Sequence, residues 1–139
     1  MFSLNDCIGF ITNIASKRLS DEFNRRLESY GVTRVNWIAI YYIGENNGIS
    51  QRELANKMDV NESSIARLLD RMEKEELTVR KKDPHDRRTA RVYLTEKGEK
   101  LRVSLIPLAE EFQNDVTRGL SSDELEIFKK VLDKMVENL

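Results

Sequence analysis

The spacing of apolar residues along this chain changes once, between Thr78 and Leu94, and that change limits the folds the chain can adopt. Outside this segment apolar residues recur every three or four positions, which is the period of an amphipathic α-helix. Inside it Ala90, Val92 and Leu94 alternate with polar residues, which is the period of a β-strand. Turn-forming residues at 84–87 separate two such stretches, 78–83 and 88–94. The sequence therefore predicts a mainly α-helical fold with a small β-hairpin inserted in it.

Capping residues divide the helical part into separate helices. We predict a first helix over Leu4–Leu27 that is ended by Gly31, and a second that begins after Thr33 and stops between Gly44 and Gly48. The patterns at 50–53 and 121–124 are those of capping boxes, and Asn61 is a favourable N-cap. Further helices are predicted at 51–58, at 62–76, after residue 95 and after residue 121. Pro107 lies inside the helix that follows residue 95 and is expected to kink it or split it in two.

Composition argues against several classes of protein. The chain has 139 residues, a net charge of −1, one cysteine and one histidine. This length suits one domain, and a single cysteine rules out an internal disulfide and favours a reducing compartment. The sequence contains no Gly-rich phosphate loop, no Cys/His cluster with metal-binding spacing, no apolar run of about 20 residues and no basic N-terminal segment typical of a signal peptide. We therefore expect a cytoplasmic protein that is not an enzyme and carries no metal or cofactor.

The two helices at 51–58 and 62–76, with the tight turn between them, have the dimensions of a helix-turn-helix. Apolar residues on the second helix predict one buried face. The residues expected on the opposite, outward face are Ser63, Ser64, Arg67, Arg71 and Lys74. Small hydroxyl side chains at a helix start allow close approach to phosphates and base edges, and an arginine one turn later can reach a guanine. An ordinary helix pair with a solvated face is the alternative interpretation.

Positive charge is concentrated in the predicted hairpin. Residues 78–93 contain two acidic residues, Asp83 and Asp86, and six basic ones: Arg80, Lys81, Lys82, Arg87, Arg88 and Arg91. The segment thus carries +4, which leaves −5 for the remainder of the chain. A cationic hairpin on an anionic body favours a polyanionic partner, and an arginine at its tip suits the minor groove of DNA. An arginine-rich surface turn that pairs locally with Asp86 is the alternative.

Four stretches of the sequence resemble the winged-helix core of the multiple antibiotic resistance regulator (MarR) family of bacterial transcription regulators. They are Ser50–Ala55 (SQRELA), Ser63–Glu73 (SSIARLLDRME), Asp86–Arg88 (DRR) and Leu94–Gly98 (LTEKG). The resemblance implies one domain over residues 1–139, with a winged helix-turn-helix at 33–95 and dimerisation helices at 1–32 and 96–139. It implies a homodimeric repressor that places two recognition helices (61–76) in successive major grooves of a palindromic operator, with Arg88 in the minor groove. Glu76 departs from the family pattern, which commonly has glycine at the end of the recognition helix.

Many members of the family are released from DNA by small phenolic or aromatic acids. The candidates for such a pocket here are Lys17 and Arg18 on the first helix, with Trp37 and Tyr41 on the second. Aromatic residues at helical spacing are alternatively part of the core. Two other functions stay open at this point: a winged-helix adaptor whose hairpin docks an acidic protein, and a thiol-based redox sensor that acts through Cys7.

Overall fold

The computed structural model describes residues 1–139 as six α-helices and a small antiparallel sheet. The helices are α1 (Ile8–Leu27), α2 (Arg34–Glu45), α3 (Gln51–Met58), α4 (Glu62–Lys74), α5 (Glu96–Val116) and α6 (Ser122–Glu137). The strands are β1 (Ile49–Ser50), β2 (Thr78–Lys82) and β3 (Ala90–Leu94), and 3-10 turns flank α1 at Leu4–Asp6 and Glu28–Tyr30. The predicted mainly α-helical fold with a β-hairpin is confirmed. The chain forms two compact units, Met1–Leu108 and Ala109–Leu139.

Side chains that cap the helices confirm most of the predicted helix starts. Asn61 accepts a hydrogen bond from the backbone N–H of Ser64 at 2.8 Å, and Ser121 forms a complete capping box with Glu124. At α3 only half of the predicted capping box forms. The Ser50 hydroxyl accepts from the Glu53 N–H at 3.0 Å, but the Glu53 side chain does not return the bond. Ser50 is also the last residue of β1, paired with Arg91, so its backbone belongs to the sheet.

Pro107 does not split the helix that contains it. Helix α5 is continuous over 21 residues from Glu96 to Val116. A proline removes one backbone hydrogen bond from a helix interior, and here the turns on both sides of it are retained. The predicted split is therefore wrong, and the alternative, a kink at Pro107, stays a prediction.

The core of the first unit is built by α2, α3, α4 and the sheet. Its buried residues are Ala39, Ile40, Ile43, Ile49, Leu54, Ala55, Ile65, Leu68, Leu69, Met72, Leu77 and Val92. Four of them, on α4, are at most 3% exposed and confirm the predicted buried face of that helix. Each such side chain contributes about 1.5–3 kcal/mol when it is buried. Because one face of α4 is held in the core, the opposite face is held in solvent.

The sheet has the strand order β1–β3–β2 and is antiparallel throughout. The hairpin register runs from Thr78 opposite Leu94 to Lys82 opposite Ala90, which confirms the predicted hairpin. Strand β1 was not predicted, because two residues are too short to show an alternating pattern. Its Ile49 lies opposite Val92, and both side chains are completely buried.

The start of α5 packs tightly on the end of α4, which explains the LTEKG motif. The Thr95 hydroxyl donates to the Glu76 carbonyl at 2.6 Å and accepts from the Gly98 N–H at 3.0 Å. A Cβ atom on Gly98 would lie 2.2 Å from the Leu77 carbonyl oxygen, so only glycine allows this approach. The motif therefore fixes where α5 leaves the winged module, which consists of α2, α3, α4 and the three-stranded sheet.

Helix α4 ends in a Schellman motif with Glu76 in the left-handed region, at φ +62°. The Leu77 N–H donates to the Met72 carbonyl and the Glu76 N–H to the Glu73 carbonyl, both at 2.9 Å. A residue with a Cβ atom is strained in this conformation by roughly 1 kcal/mol. The strained residue, Glu76, is also the position at which the sequence departs from the MarR pattern, which commonly has glycine there.

Arg80 ties the hairpin to the helix-turn-helix. Its Nε donates to Glu73 Oε1 at 2.8 Å, its Nη2 pairs with the Asp70 carboxylate, and its Nη1 donates to Gln51 Oε1 at 3.4 Å. The side chain is only 23% exposed. The hydrogen bond to Glu73 is the main reason that the pKa of Arg80 is raised. One side chain of β2 thus sets the position of the hairpin relative to α3 and α4.

Two apolar surfaces are exposed, one in each unit. In the first unit Leu4, Ile8, Phe10, Ile11, Ile14 and Leu19 are 40–52% exposed. In the second unit α6 has no buried residue, and its Ile127, Phe128, Val131 and Val136 are 49–67% exposed. No helix in the chain is both long enough and apolar enough to cross a membrane.

We predict that Glu76→Gly raises the free energy of unfolding by about 1 kcal/mol, because glycine adopts a positive φ without strain. Urea denaturation at fixed protein concentration measures the change. Glu75→Gly is the matched control: Glu75 has φ −82°, so glycine there only adds backbone entropy to the unfolded state and lowers stability. Equal effects of the two substitutions would contradict the assigned strain.

We also predict that Arg80 and Glu73 are energetically coupled. A double-mutant cycle with Arg80→Met and Glu73→Gln should give a coupling free energy of about 0.5–1 kcal/mol in urea denaturation, since both groups are largely shielded from water. The exposed pair Arg25–Glu22, with side chains 67% and 37% exposed, is the control and should show weaker coupling. Zero coupling would mean that Glu73 does not hold Arg80, whose remaining partners are Asp70 and Gln51.

Candidate nucleic-acid interface

The outward face of α4 presents the residues that the sequence places there. Ser63, Arg67, Arg71 and Lys74 are exposed and Ser64 is half-buried. Asn61, the N-cap, accepts from both the Ser63 hydroxyl at 2.7 Å and the Ser64 backbone N–H at 2.8 Å. The start of the helix is therefore ordered by its own side chains, and the basic residues follow one, two and three turns later.

The turn between α3 and α4 determines the direction in which α4 leaves α3. Asp59 adopts φ +54°, and α3 ends in a Schellman motif in which the Val60 N–H donates to the Ala55 carbonyl at 3.1 Å. Only Val60 separates this left-handed residue from the N-cap Asn61. The chain thus passes from the last residue of α3 to the first residue of α4 through three residues, Asp59 to Asn61, as expected of a helix-turn-helix.

The basic residues of the hairpin divide into two groups. Arg80 and Arg91 are engaged inside the module, whereas Lys81, Lys82, Arg87 and Arg88 are exposed. Arg91 Nε donates to Asp83 Oδ2 at 2.7 Å and its Nη1 donates to the Gly48 carbonyl at 2.9 Å. Arg91 therefore joins β3 to the turn before β1, and the exposed charge lies towards the hairpin tip.

Asp83 holds the first half of the tip. Its Oδ1 accepts from the His85 backbone N–H at 2.7 Å and its Oδ2 accepts from Arg91. These two hydrogen bonds, the one from His85 first, lower the pKa of the Asp83 carboxyl group. Asp83 is thus ionised in its structural role, and its charge is matched by Arg91.

Asp86 holds the second half of the tip. Its Oδ1 accepts from the Arg88 backbone N–H at 3.1 Å and its Oδ2 accepts from the Thr89 hydroxyl at 3.3 Å. The Arg88 side chain is 94% exposed and only loosely paired with the same carboxylate, at 3.4 Å. The turn therefore presents the Arg88 guanidinium to solvent beyond the body of the hairpin.

The four residues considered for a ligand pocket are not equally placed. Lys17 and Arg18 are exposed on α1. The rings of Trp37 and Tyr41 lie 5.6 Å apart, and the cation over Tyr41 is Arg102 of α5, at 5.1 Å from the ring centroid. Sequence reasoning missed Arg102.

In the sequence, Gly44 is the residue that could have indicated a side chain packed against α2 at this point. A Cβ atom at Gly44 would lie 2.2 Å from Arg102 Nε, so the glycine leaves room for the guanidinium against α2. Arg102 Nε also donates to the Tyr41 carbonyl at 3.3 Å. The Tyr41 hydroxyl donates to Glu45 Oε1 at 2.7 Å, and this bond is the main reason that the pKa of Tyr41 is raised. Tyr41 is thus partnered on both its ring and its hydroxyl.

Comparisons with known proteins agree with this arrangement. The sequence model of the MarR family matches residues 30–89. An uncharacterised HTH-type transcriptional regulator of Bacillus subtilis, YsmB, is 33% identical over 109 residues, which is 78% of this chain and 75% of that protein.

Solved structures have the same fold. The MepR–DNA complex of S. aureus has a TM-score of 0.89 at 23% identity, covering 96% of this chain and 98% of that one. BpsR of Bordetella bronchiseptica, whose DNA binding is described as regulated by 6-hydroxynicotinic acid, has a TM-score of 0.89 at 20% identity, covering 98% and 97%. From its sequence relatives, and in agreement with its fold, this chain belongs to the MarR family of transcription regulators.

Proposed function

We propose that the protein regulates transcription as a homodimer that occupies a palindromic site on double-stranded DNA. The observation that carries this proposal is the pairing of an exposed face on α4 with an exposed basic hairpin tip in one ordered module. A helix of this kind fits the major groove, and a hairpin beside it reaches the neighbouring minor groove. Occupying an operator in this way favours a repressor. The cytoplasm is the expected location, because the proposed partner is DNA.

Each residue of this surface has a proposed role that follows from its length and its place. Ser63, Ser64 and Arg67, in the first turns of α4, are positioned for base edges and the adjoining backbone. Arg88 enters the minor groove, where an arginine responds to groove width. Phosphate neutralisation is assigned to the other exposed cations of α4 and the hairpin: Arg71, Lys74, Lys81, Lys82 and Arg87. The sequence also predicts phosphate contacts for Arg80 and Arg91, but both hold the hairpin in place through their hydrogen bonds to Glu73 and Asp83, so we do not assign them to phosphates.

The two exposed apolar surfaces support the homodimer. A stable, isolated protein rarely leaves so many large apolar side chains in water. The surface of residues 4–19 and the surface of α6 both need a cover, and a second copy of the chain supplies matching surfaces by symmetry.

A small aromatic or phenolic acid is the proposed effector. The proposal rests on family resemblance and on the aromatic residues Trp37 and Tyr41, with Lys17 and Arg18 as the candidate cations on α1. Arg102 already lies over the Tyr41 ring, so it is the cation that such an acid would contact there.

Duplex binding by the wild-type protein is the direct test. Fragments selected from a random-sequence duplex pool should share a palindrome whose half-sites are about 34–36 Å apart, or a multiple of this. If the five phosphate-neutralising residues act in both copies, log K should fall against log salt with a slope of about −9. A flat slope would contradict the proposal and indicate a protein-binding adaptor instead.

Arg88→Ala should weaken binding to the selected duplex by about 1–3 kcal/mol and should reduce its discrimination from an unrelated duplex. Arg87→Ala, the adjacent exposed arginine, is the control. It should weaken binding to both duplexes equally and make the slope of log K against log salt less steep, because a phosphate contact carries no sequence information. Identical behaviour of the two variants in fluorescence-anisotropy titrations would remove Arg88 from its groove-reading role.

A further inference from the structure

A charged cleft lies between the start of α3, the start of α4 and the hairpin turn. Its charged lining residues are Arg52 of α3, Glu62 of α4, and Asp86 and Arg88 of the turn. Two guanidinium groups from separate elements thus share one opening with two carboxylates. Arg88 is already assigned to the minor groove, whereas Arg52 has no assigned role.

The two carboxylates of the cleft are held very differently. Asp86 accepts hydrogen bonds from the Arg88 N–H and the Thr89 hydroxyl, so it is committed to the turn. Glu62 contacts Arg52 at 3.9 Å, and the two side chains are 61% and 83% exposed. An exposed pair at this distance contributes little to stability. Glu62 is therefore a weak counter-ion that a stronger anion can replace.

The position of the cleft identifies that anion. Glu62 directly precedes Ser63 on α4, and Arg88 lines the same cleft as Glu62. A duplex that receives α4 in its major groove and Arg88 in its minor groove has the backbone between those grooves running across this cleft. A guanidinium binds a phosphodiester through two parallel hydrogen bonds, a geometry that a loose contact with Glu62 does not provide.

We propose that Arg52 binds the backbone phosphodiester that borders the groove entered by Arg88, and that Glu62 is its counter-ion in the free protein. This inference rests on the proposed function and adds to it a contact that anchors the protein without reading sequence. Glu62 then lowers affinity for every duplex by a similar factor, and the discrimination between operator and unrelated DNA stays with the base-reading residues.

The test uses the full-length protein with two probes, the duplex selected by the wild type and an unrelated duplex of the same length. Arg52→Ala should weaken binding to both by roughly tenfold and lower the salt slope by about 2 per dimer. Arg52→Lys should retain the slope, because an ammonium group also binds phosphate. Arg25→Ala is the matched control: it removes an exposed arginine from a surface ion pair outside the cleft and should leave affinity and slope unchanged.

A substitution at Glu62 provides a second test of the proposal. Glu62→Gln should tighten binding to both duplexes by roughly three- to tenfold, because it removes a carboxylate that competes for Arg52. Glu96→Gln is its control, since Glu96 is also the first residue of a helix and lies in an exposed ion pair, with Lys100 at 3.2 Å. In the Arg52→Ala background the gain from Glu62→Gln should be clearly smaller than in the wild type.

Three results would overturn the proposal. They are an Arg52→Ala variant that matches Arg25→Ala in affinity and slope, a loss confined to the selected duplex, and a gain from Glu62→Gln that is undiminished without Arg52. In each case the wild type would still bind DNA with a steep salt dependence, so the proposed function would stand. Failure of the wild type to bind either duplex at any salt concentration would overturn both.

Discussion

The backbone of Leu77 is the point on which the winged module depends. Its N–H closes the last turn of α4 on the Met72 carbonyl, and its carbonyl accepts from the Thr95 N–H at 3.0 Å. The same carbonyl leaves no room for a side chain on Gly98. The end of α4, the base of the hairpin and the start of α5 are thereby held at one buried residue. Moving any one of the three elements would break a hydrogen bond or leave a buried polar group unpaired, which is costly in a core.

Carboxylates decide which arginines of the module remain free. Arg80 is held by Glu73 and Asp70, and Arg91 by Asp83, so these two cations set the shape of the hairpin. Arg88 and Arg52 have only loose acidic neighbours and keep their side chains in solvent. A chain with a net charge of −1 therefore presents local positive charge on the surface that is proposed to meet a duplex. The net charge of the whole chain does not show which arginines are held by carboxylates and which are exposed.

The exposed apolar surfaces connect the fold to its proposed assembly. The winged module has its own core in α2, α3, α4 and the sheet, whereas α6 buries none of its residues within the chain. A helix with an apolar face of this kind gains most of its stability from packing. Dimerisation and DNA binding are thus assigned to different parts of the chain. An effector bound near Tyr41 and Arg102 would lie on α2 and α5, and α5 is the helix that continues into the second unit.

The local features of the fold could be predicted from the sequence. The buried face of α4, the caps at Asn61 and Ser121, the left-handed Gly31 and the hairpin all depend on residues within a few positions of one another, so periodicity and capping rules identify them. The tertiary structure alone decided which cations are exposed and which are engaged. Arg80 meets Gln51, Arg91 meets Gly48 and Arg102 meets Tyr41, pairs separated by 29, 43 and 61 positions. The short strand β1 likewise exists only because β3 lies beside it. Such contacts leave no periodic trace in the sequence, because they are made by single side chains or very short segments after the chain has folded.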